Sequence, residues 1–226
     1  MFTKTEILYD LKISIPLFFW VLFVVQFLAK WVSNLAIKRK YPKNSAIYFG
    51  RKIIHIFASG IVAFLIPFFF KEPILPFLMA VFFAIYTFLP HKTGKLFDWF
   101  QVKENLHEVN FCLMWGFSIL FGWFFDKSFW LGVIPALFMS FGDGITGIVR
   151  NLKYKKRGKF WEGSLAMLFV CVLIGLKMGW AGIIAAIFAT IFEKIEGIDD
   201  NISIPIISFL ILLFFFKFFP NLCTLW

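Results

Sequence analysis

Three clusters of polar residues interrupt an otherwise apolar chain, and each contains side chains that could take part in chemistry. The first cluster reads Arg51-Lys52-Ile-Ile-His55-Ile-Phe-Ala-Ser59. A spacing of four residues places Arg51, His55 and Ser59 on one face of a helix, with Lys52 beside them. Such a face can hold an anion and exchange a proton. A snorkelling basic pair next to a histidine that serves helix packing is the alternative interpretation.

The second cluster is centred on Asp143, which stands between Gly142 and Gly144. An ionised Asp within a membrane helix costs roughly 2.5–3.5 kcal/mol at the bilayer centre, so this carboxylate is expected to have a partner or a metal. Glycines on either side would let a backbone or a phosphate approach closely. The alternative interpretation is a tight turn followed by basic residues that anchor the chain at the membrane surface.

A basic loop follows Asp143, and Glu162 closes it. Its cationic residues are Arg150, Lys153, Lys155, Lys156, Arg157 and Lys159. Mg²⁺ requires hard oxygen ligands and phosphates require cations, so this combination predicts a site for Mg²⁺ and a polyphosphate. The next helix is expected to begin near Gly163-Ser164, which would point its positive N-terminal end into the same site.

The third cluster inverts the local charge, because four acids fall within eight residues. They are Glu193, Glu196, Asp199 and Asp200. This arrangement predicts further Mg²⁺ ligands or a general base, although a solvated acidic loop would have the same composition. We expect Asn201 or Ser203 to cap the last helix, with Pro205 in its first turn.

The composition shows which elements must position these clusters. Of 226 residues, 61% are hydrophobic and 16% are charged, whereas soluble domains average about 45–50% and 25%, which excludes a soluble globular domain. About 20 apolar residues span a bilayer as a helix. The sequence therefore predicts an all-α, polytopic membrane helix bundle that forms one domain over 1–226. The predicted helices are 13–36, 53–70, 73–90, 109–125, 128–146, 163–178, 180–193 and 202–219. Eight is the preferred count, and it becomes seven if one of the two short helices, 163–178 and 180–193, is re-entrant.

The positive charges predict an orientation. With eight alternating helices, sixteen of the 23 Lys and Arg residues fall on one side and six on the other. By the positive-inside rule the richer side is cytoplasmic, which places all three polar clusters there and both termini outside. This asymmetry also explains the net charge of +10 without nucleic-acid binding. Abundant Lys, Ile and Phe favour a prokaryotic cell membrane over the endoplasmic reticulum. The three cysteines form no paired motif, so neither a zinc site nor a disulfide framework is expected.

Taken together, the clusters resemble a known family. Between about residues 50 and 206 the motifs occur in the order Arg51-Lys52-x-x-His55, Gly142-Asp143-Gly144, Lys159-x-Trp161-Glu162-Gly163-Ser164, Glu193, and Asp199-Asp200-Asn201-x-x-x-Pro205. This set resembles the CTP-dependent polyprenol kinase family, which includes dolichol kinase, phytol kinase and the CTP-dependent diacylglycerol kinase. The stretch from Gly142 to Gly163 is also similar to the CTP-binding region of phosphatidate cytidylyltransferases.

The resemblance implies a role for each motif in moving the γ-phosphate of CTP to a lipid alcohol. The implied Mg²⁺ ligands are Asp143, Glu162, Glu193, Asp199 and Asp200. The implied catalytic residues are Asp143, Lys159, Glu162, Asp200 and His55, and the proton acceptor is Asp200, Glu193 or His55. The implied CTP contacts are Arg51, Lys52, Gly142, Gly144, Lys156, Arg157, Gly163, Ser164 and Asn201. Glu108, beside Asn110, is a further candidate for the site.

The chain departs from the family pattern at two positions. The family often has a Gly-rich step after Gly147 and a Lys-Ser pair before Trp-Glu-Gly, where this chain has Arg150-Asn151 and Lys159-Phe160. Two alternative functions remain. A cytidylyltransferase would make a CDP-lipid from a phospholipid acid. A lipid transporter or lipid-binding protein would carry out no chemistry, and the lack of internal repeats argues against a transporter.

Overall fold

The structure is a computed structural model that describes residues 4–155 and 158–224. Lys156 and Arg157, two of the predicted phosphate contacts, lie outside the described residues. Every regular element within those ranges is helical. The α-helices are α1 (Lys4–Phe23), α2 (Ala29–Lys38), α3 (Lys43–Ile53), α4 (Ile61–Phe69), α5 (Ile74–Thr93), α6 (His107–Phe125), α7 (Trp130–Leu137), α8 (Asp143–Tyr154), α9 (Trp161–Gly175), α10 (Gly179–Glu193) and α11 (Asp200–Phe218).

Seven helical stretches of the described chain are long and apolar enough to cross a membrane, which confirms the predicted polytopic helix bundle. Three of these stretches join two α-helices through a π-helical turn, at Val24–Leu28, Ile54–Gly60 and Phe138–Gly142. Large apolar side chains cover the outside of the bundle; Phe169 and Phe218, for example, are more than 60% exposed. In a bilayer these side chains contact lipid.

The stretch Trp161–Glu193 is a hairpin. Its two arms, α9 and α10, have 15 residues each and pack against one another, and the chain reverses at Gly179, where φ is +56°. Gly175 and Gly182 let the two backbones meet, because a Cβ atom on either glycine would overlap the carbonyl of the other. The predicted helices 163–178 and 180–193 are therefore the two arms of this hairpin.

The tip of the hairpin reaches the end of the bundle opposite the polar clusters. Lys177, at the tip, lies 5.0 Å from the ring of Trp130, at the start of α7. At the same end, the buried carboxylate of Asp10 accepts hydrogen bonds from the backbone N–H groups of Lys71 (2.9 Å) and Glu72 (2.8 Å), between α4 and α5. Both arms of the hairpin thus connect the two ends of the bundle.

Helix α7 forms the centre of the core, with every residue from Leu131 to Leu137 buried. The π-helical turn Phe138–Gly142 extends it to Asp143, the first residue of α8. A second π-helical turn, Ile54–Gly60, packs against this one, and Ser59 Oγ lies 3.0 Å from Ser140 Oγ. π-helical turns occur frequently at functional sites, because the extra residue re-aims the side chains that follow. Here the two turns bring His55 and Asp143 together.

Candidate active site

Three carboxylates meet at the termini of three α-helices. Asp143 begins α8, Glu193 ends α10 and Asp200 begins α11, and their nearest carboxylate oxygens all lie within 4.8 Å of one another. Asp143 and Glu193 are buried, and Asp200 is partly exposed. Three of the five predicted metal ligands are therefore gathered into one carboxylate cluster.

Three cations surround the carboxylate cluster. Lys52 Nζ donates to Asp143 Oδ2 at 2.6 Å, and Lys159 Nζ donates to both carboxylate oxygens of Asp200 at 2.6 and 2.7 Å. Arg150 makes a bidentate pair with Glu193, at 2.6 and 3.1 Å. Three formal positive charges thus balance three negative charges, as buried ions require.

Arg150 is a site residue to which the sequence analysis gave no role beyond membership of the basic loop. It is 2% exposed, and besides Glu193 it donates to Ser164 Oγ (3.0 Å) and to the carbonyl of Phe160 (2.9 Å). Its spacing was an available signal, since seven residues after Asp143 is two helical turns along the same face. The guanidinium joins α8, α9 and α10 at one point.

His55 lies directly beside the carboxylate cluster. Its Nδ1 atom is 3.3 Å from Asp143 Oδ2, and its ring packs on Phe111 with the ring centroids 4.0 Å apart. Arg51, His55 and Ser59 share a face as predicted, since all three line one cavity within the bundle, and Ser59 donates its hydroxyl to the carbonyl of His55 (2.7 Å). Lys52 and His55 therefore both contact Asp143, while Ser59 lies one turn deeper in the bundle.

Glu162 lies apart from the carboxylate cluster. Its Oε1 atom accepts hydrogen bonds from Lys153 Nζ and from the hydroxyl of Tyr154 (2.6 Å). The structure therefore ties Glu162 to the end of α8 and away from Asp143. The predicted metal ligands and the predicted catalytic residues both included Glu162 beside Asp143, so the structure does not place it as either prediction required.

Asp199 is a helix cap. Its side chain accepts a hydrogen bond from the backbone N–H of Asn201 (3.0 Å) at the start of α11, so the prediction that Asn201 or Ser203 caps this helix is wrong. The same carboxylate contacts His107 Nδ1 (2.9 Å) and accepts from Asn110 Nδ2 (2.8 Å). Burial alone would raise the pKa of Asp199, but the contacts with His107, Asn110 and Asn201 outweigh it and hold this pKa below its usual value. Asp199 is thus committed to organising α6 and α11.

Glu108 belongs to a second buried group. Its Oε1 atom lies 2.7 Å from His91 Nε2, and its Oε2 atom lies 3.8 Å from Arg51 Nη2. Arg51 also donates from Nε to the carbonyl of Phe100 (3.3 Å). The group connects α3, α5 and α6, and holds Arg51 about one helical turn from His55. His91 was not predicted, because it belongs to none of the three polar clusters.

The glycines of the motifs are packing positions. Cβ atoms on them would meet other side chains: Cys171 for Gly142, Ile56 for Gly144, Lys52 for Gly147 and Arg150 for Gly163. We expected Gly142 and Gly144 to let a backbone or a phosphate approach closely. The structure fills this space with protein, so these glycines bring helices together around the cluster and do not line a binding surface.

A charged pocket of about 500 Å³ opens beside the carboxylate cluster. Its polar lining comes from the end of α3, the π-helical turn Ile54–Gly60, the starts of α6, α8 and α11, and the loops before α9 and after α10. Among the lining residues are Arg51, Lys52, His55, His107, Asn110, Asp143, Lys159, Asp199, Asp200 and Asn201. This pocket adjoins a separate apolar cavity of about 80 Å³ within the bundle, and both are lined by Arg51 and His55.

Comparison of the chain with protein-family models, with curated protein sequences and with solved structures finds no match. The functional argument therefore rests on the residues and their geometry.

Proposed function

We propose that this protein is a CTP-dependent lipid-alcohol kinase, which transfers the γ-phosphate of CTP to the hydroxyl of an alcohol embedded in the membrane. The observation that carries the proposal is that the charged pocket and the apolar cavity share Arg51 and His55. A water-soluble phosphate donor and a lipid acceptor need such a junction in order to meet. The motif order that resembles the polyprenol kinases supports CTP as the donor.

The charged pocket suits a nucleoside triphosphate. Its volume of about 500 Å³ falls within the roughly 300–1,000 Å³ of typical ligand sites. Arg51, Lys52 and Lys159 contribute cationic side chains to its lining. Cationic donors bind phosphate oxygens through charge-assisted hydrogen bonds, so these three residues are the proposed triphosphate contacts.

Asp143, Glu193 and Asp200 would hold Mg²⁺. The donor set fits this ion, which prefers carboxylate oxygens at 2.0–2.1 Å, so that oxygens on opposite sides of one ion lie about 4.2 Å apart. The observed oxygens, within 4.8 Å of one another, need only a small adjustment to reach that spacing. The bound ion would neutralise charge on the phosphates.

The proposed transfer is a single displacement at the γ-phosphorus. The alcohol oxygen forms a bond to this phosphorus while the bond from the phosphorus to the β,γ-bridging oxygen breaks, and CDP leaves with that electron pair. His55 is the best placed acceptor for the hydroxyl proton, because it lines both the charged pocket and the apolar cavity. Glu193 and Asp200 are already engaged by Arg150 and Lys159. A loose transition state makes little demand on the strength of this base.

The proposed reaction takes place at the cytoplasmic face. The site lies at the end of the bundle that carries most of the Lys and Arg residues, and the positive-inside rule assigns this end to the cytoplasm. CTP is available there, and a lipid alcohol can present its hydroxyl from the bilayer. A prokaryotic cell membrane remains the favoured location.

A donor and acceptor panel tests the proposal. Purified protein in nanodiscs receives Mg²⁺, one of CTP, ATP, GTP or UTP, and one of geranylgeraniol, polyprenol, diacylglycerol or phosphatidic acid, and the lipids are then analysed by mass spectrometry. We expect a lipid monophosphate from CTP and an alcohol. Glu72→Gln, at the opposite end of the bundle, should retain this activity and serves as the control for Asp143→Asn, which should not.

The other outcomes assign the protein elsewhere. A CDP-lipid formed from phosphatidic acid would identify a cytidylyltransferase that attacks the α-phosphate. If no donor and acceptor pair gives a product, the kinase proposal is refuted. A lipid transporter or lipid-binding protein then becomes the leading interpretation.

A further inference from the structure

Arg51 stands where the charged pocket meets the apolar cavity, and groups from α5, α6 and the loop between them surround it. We propose that Glu108 and His91 are positioning residues, which hold the Arg51 guanidinium in the orientation that binds a phosphate of the nucleotide. This inference rests on the proposed function for the identity of the anion. The contacts that hold Arg51 stand independently of it.

The orientation of an arginine decides how well it binds phosphate. The guanidinium is a planar fork, and its N–H groups pair with two phosphate oxygens only when the plane faces them. A mobile side chain loses rotamer entropy when it binds, whereas a side chain that is already held does not. Arg51 is buried, so the protein around it sets its orientation.

One contact fixes the inner end of the guanidinium. Arg51 Nε donates to the carbonyl of Phe100 at 3.3 Å, in the loop between α5 and α6. This loop is itself anchored. Trp99 donates its indole N–H to the carbonyl of Val25 (2.7 Å), and its own carbonyl lies so close to Gly50 that a Cβ atom there would overlap it. The Phe100 carbonyl is therefore an acceptor with a fixed place beside α3.

Glu108 sets the outer end of the guanidinium. Its Oε2 atom lies 3.8 Å from Arg51 Nη2, which is beyond hydrogen-bond distance but close enough for attraction between full charges. Both side chains are only 7% exposed, so salt and water screen this attraction little. Glu108 lies in the first turn of α6, where the helix dipole stabilises a negative charge. It therefore keeps the guanidinium at the junction of the pocket and the cavity.

His91 fixes Glu108 in turn. Its Nε2 atom lies 2.7 Å from Glu108 Oε1, so a proton on Nε2 is donated to that oxygen and Oε2 is left facing Arg51. His91 lies in the last turn of α5 and lines neither the charged pocket nor the apolar cavity. Its influence on a bound nucleotide must therefore pass through Glu108 and Arg51.

The test is a double-mutant cycle on nucleotide affinity. The purified full chain in nanodiscs, without a lipid alcohol, receives Mg²⁺ and the non-hydrolysable analogue β,γ-imido-CTP or β,γ-imido-ATP, and calorimetry gives the Kd. Arg51→Gln should raise the Kd about tenfold, because a charge-assisted hydrogen bond is lost. Glu108→Gln and His91→Leu should each raise it about fivefold in the wild-type background, but by less than about twofold in the Arg51→Gln background, because both act through Arg51.

Two further variants separate positioning from folding. His91→Gln keeps an N–H donor for Glu108 and should restore most of the affinity that His91→Leu loses. Lys92→Gln changes the exposed neighbour of His91 and should bind like wild type. A variant that only destabilises the bundle lowers the melting temperature and the fraction of protein that binds, but it leaves the Kd of the folded fraction unchanged.

The outcomes distinguish this inference from the proposed function. An equal rise in Kd from His91→Leu in both backgrounds, or no rise in the wild-type background, would overturn the positioning role and leave the proposed kinase untouched. The same coupling seen with the ATP analogue alone would support the positioning role and refute CTP as the donor. If wild type binds neither analogue, the inference and the proposed function both fail.

Discussion

Lys52 donates a hydrogen bond of 2.6 Å to Oδ2 of Asp143, and both side chains are only 4% exposed. This pair joins α3 to α8 at the edge of the charged pocket, where the same lysine is a proposed phosphate contact. A cation that is neutralised by a carboxylate in the free protein can exchange that partner for a phosphate when a nucleotide arrives. The pair thus has a structural role and a proposed catalytic role, which mutations can separate.

The first prediction separates these two roles. Asp143→Asn leaves Lys52 buried without its carboxylate, and breaking a buried pair costs about 3–5 kcal/mol of the free energy of unfolding. The double variant Lys52→Gln/Asp143→Asn removes both charges and should recover most of this loss. Both variants should lose at least about a hundredfold in phosphate transfer.

Thermal unfolding in detergent and the rate of lipid phosphorylation are the two measurements. A double variant that recovers stability and activity together would show that the pair is structural only, and it would remove Asp143 from the proposed site.

The second prediction concerns Arg150. Arg150→Met leaves Glu193 buried without its bidentate partner and should lower the free energy of unfolding by about 3–5 kcal/mol. Arg150→Lys should lower the free energy of unfolding by a smaller amount, because lysine keeps the positive charge but cannot form both hydrogen bonds to Glu193. Lys153→Met, whose side chain is 56% exposed, is the matched control and should leave the melting temperature nearly unchanged, since exposed ion pairs contribute little. Equal melting temperatures for Arg150→Met and Lys153→Met would contradict the role of Arg150 in joining α8, α9 and α10.

The third prediction uses pH and two acids outside the membrane spans. The pKa of Asp199 is held below its usual value by His107, Asn110 and Asn201, against the opposing effect of burial. Its ionised form therefore stabilises the fold above about pH 3.9, and this contribution is lost as the pH falls through the lowered folded pKa. Burial raises the pKa of Glu72, so the folded state favours its neutral form and the sign is reversed.

The measurement is the difference in melting temperature between wild type and each variant from pH 7 to pH 3. The advantage of wild type over Asp199→Asn should shrink at the acidic end. The stability of wild type relative to Glu72→Gln should instead rise as the pH falls. The same pH trend for both acids would contradict the assigned environment of Asp199.

The sequence predicted the helix bundle and the centre of the candidate site for identifiable reasons. Apolar runs of about 20 residues have few alternatives to membrane helices. The resemblance of the motif order to a known family implied that Lys52, His55 and Asp143 belong to one site. The two π-helical turns were not predicted, because they depend on how α4 and α7 pack and not on a local residue pattern.

The choice among the acids also lay beyond the sequence. Glu162 and Glu193 are equally plausible ligands by residue type, but only the relative placement of α8, α9 and α10 decides which one faces Asp143. Likewise, Asp199 and Asp200 are neighbours, and the geometry of the helix start turns one into a cap and the other into a member of the carboxylate cluster.

The fourth prediction tests the orientation of the bundle. In a chain whose native cysteines are replaced, a single cysteine at Lys95 or Glu196 should react with a membrane-impermeant maleimide only after the cells are opened. A cysteine at Lys127 or Lys177 should react in intact cells, because both lie at the end opposite the site. Labelling of Lys177 on the same side as Glu196 would contradict a hairpin that reaches the far face.

The most direct test follows two labels through one reaction. Wild-type protein with Mg²⁺ and geranylgeraniol receives CTP labelled on the γ-phosphate in one tube and on the α-phosphate in another. A lipid-alcohol kinase places the γ label in geranylgeranyl monophosphate and leaves the α label in CDP. With the double variant Lys52→Gln/Asp143→Asn, neither the lipid monophosphate nor CDP should form. The α label in any lipid, or no γ label in lipid from any alcohol, would contradict the proposed function.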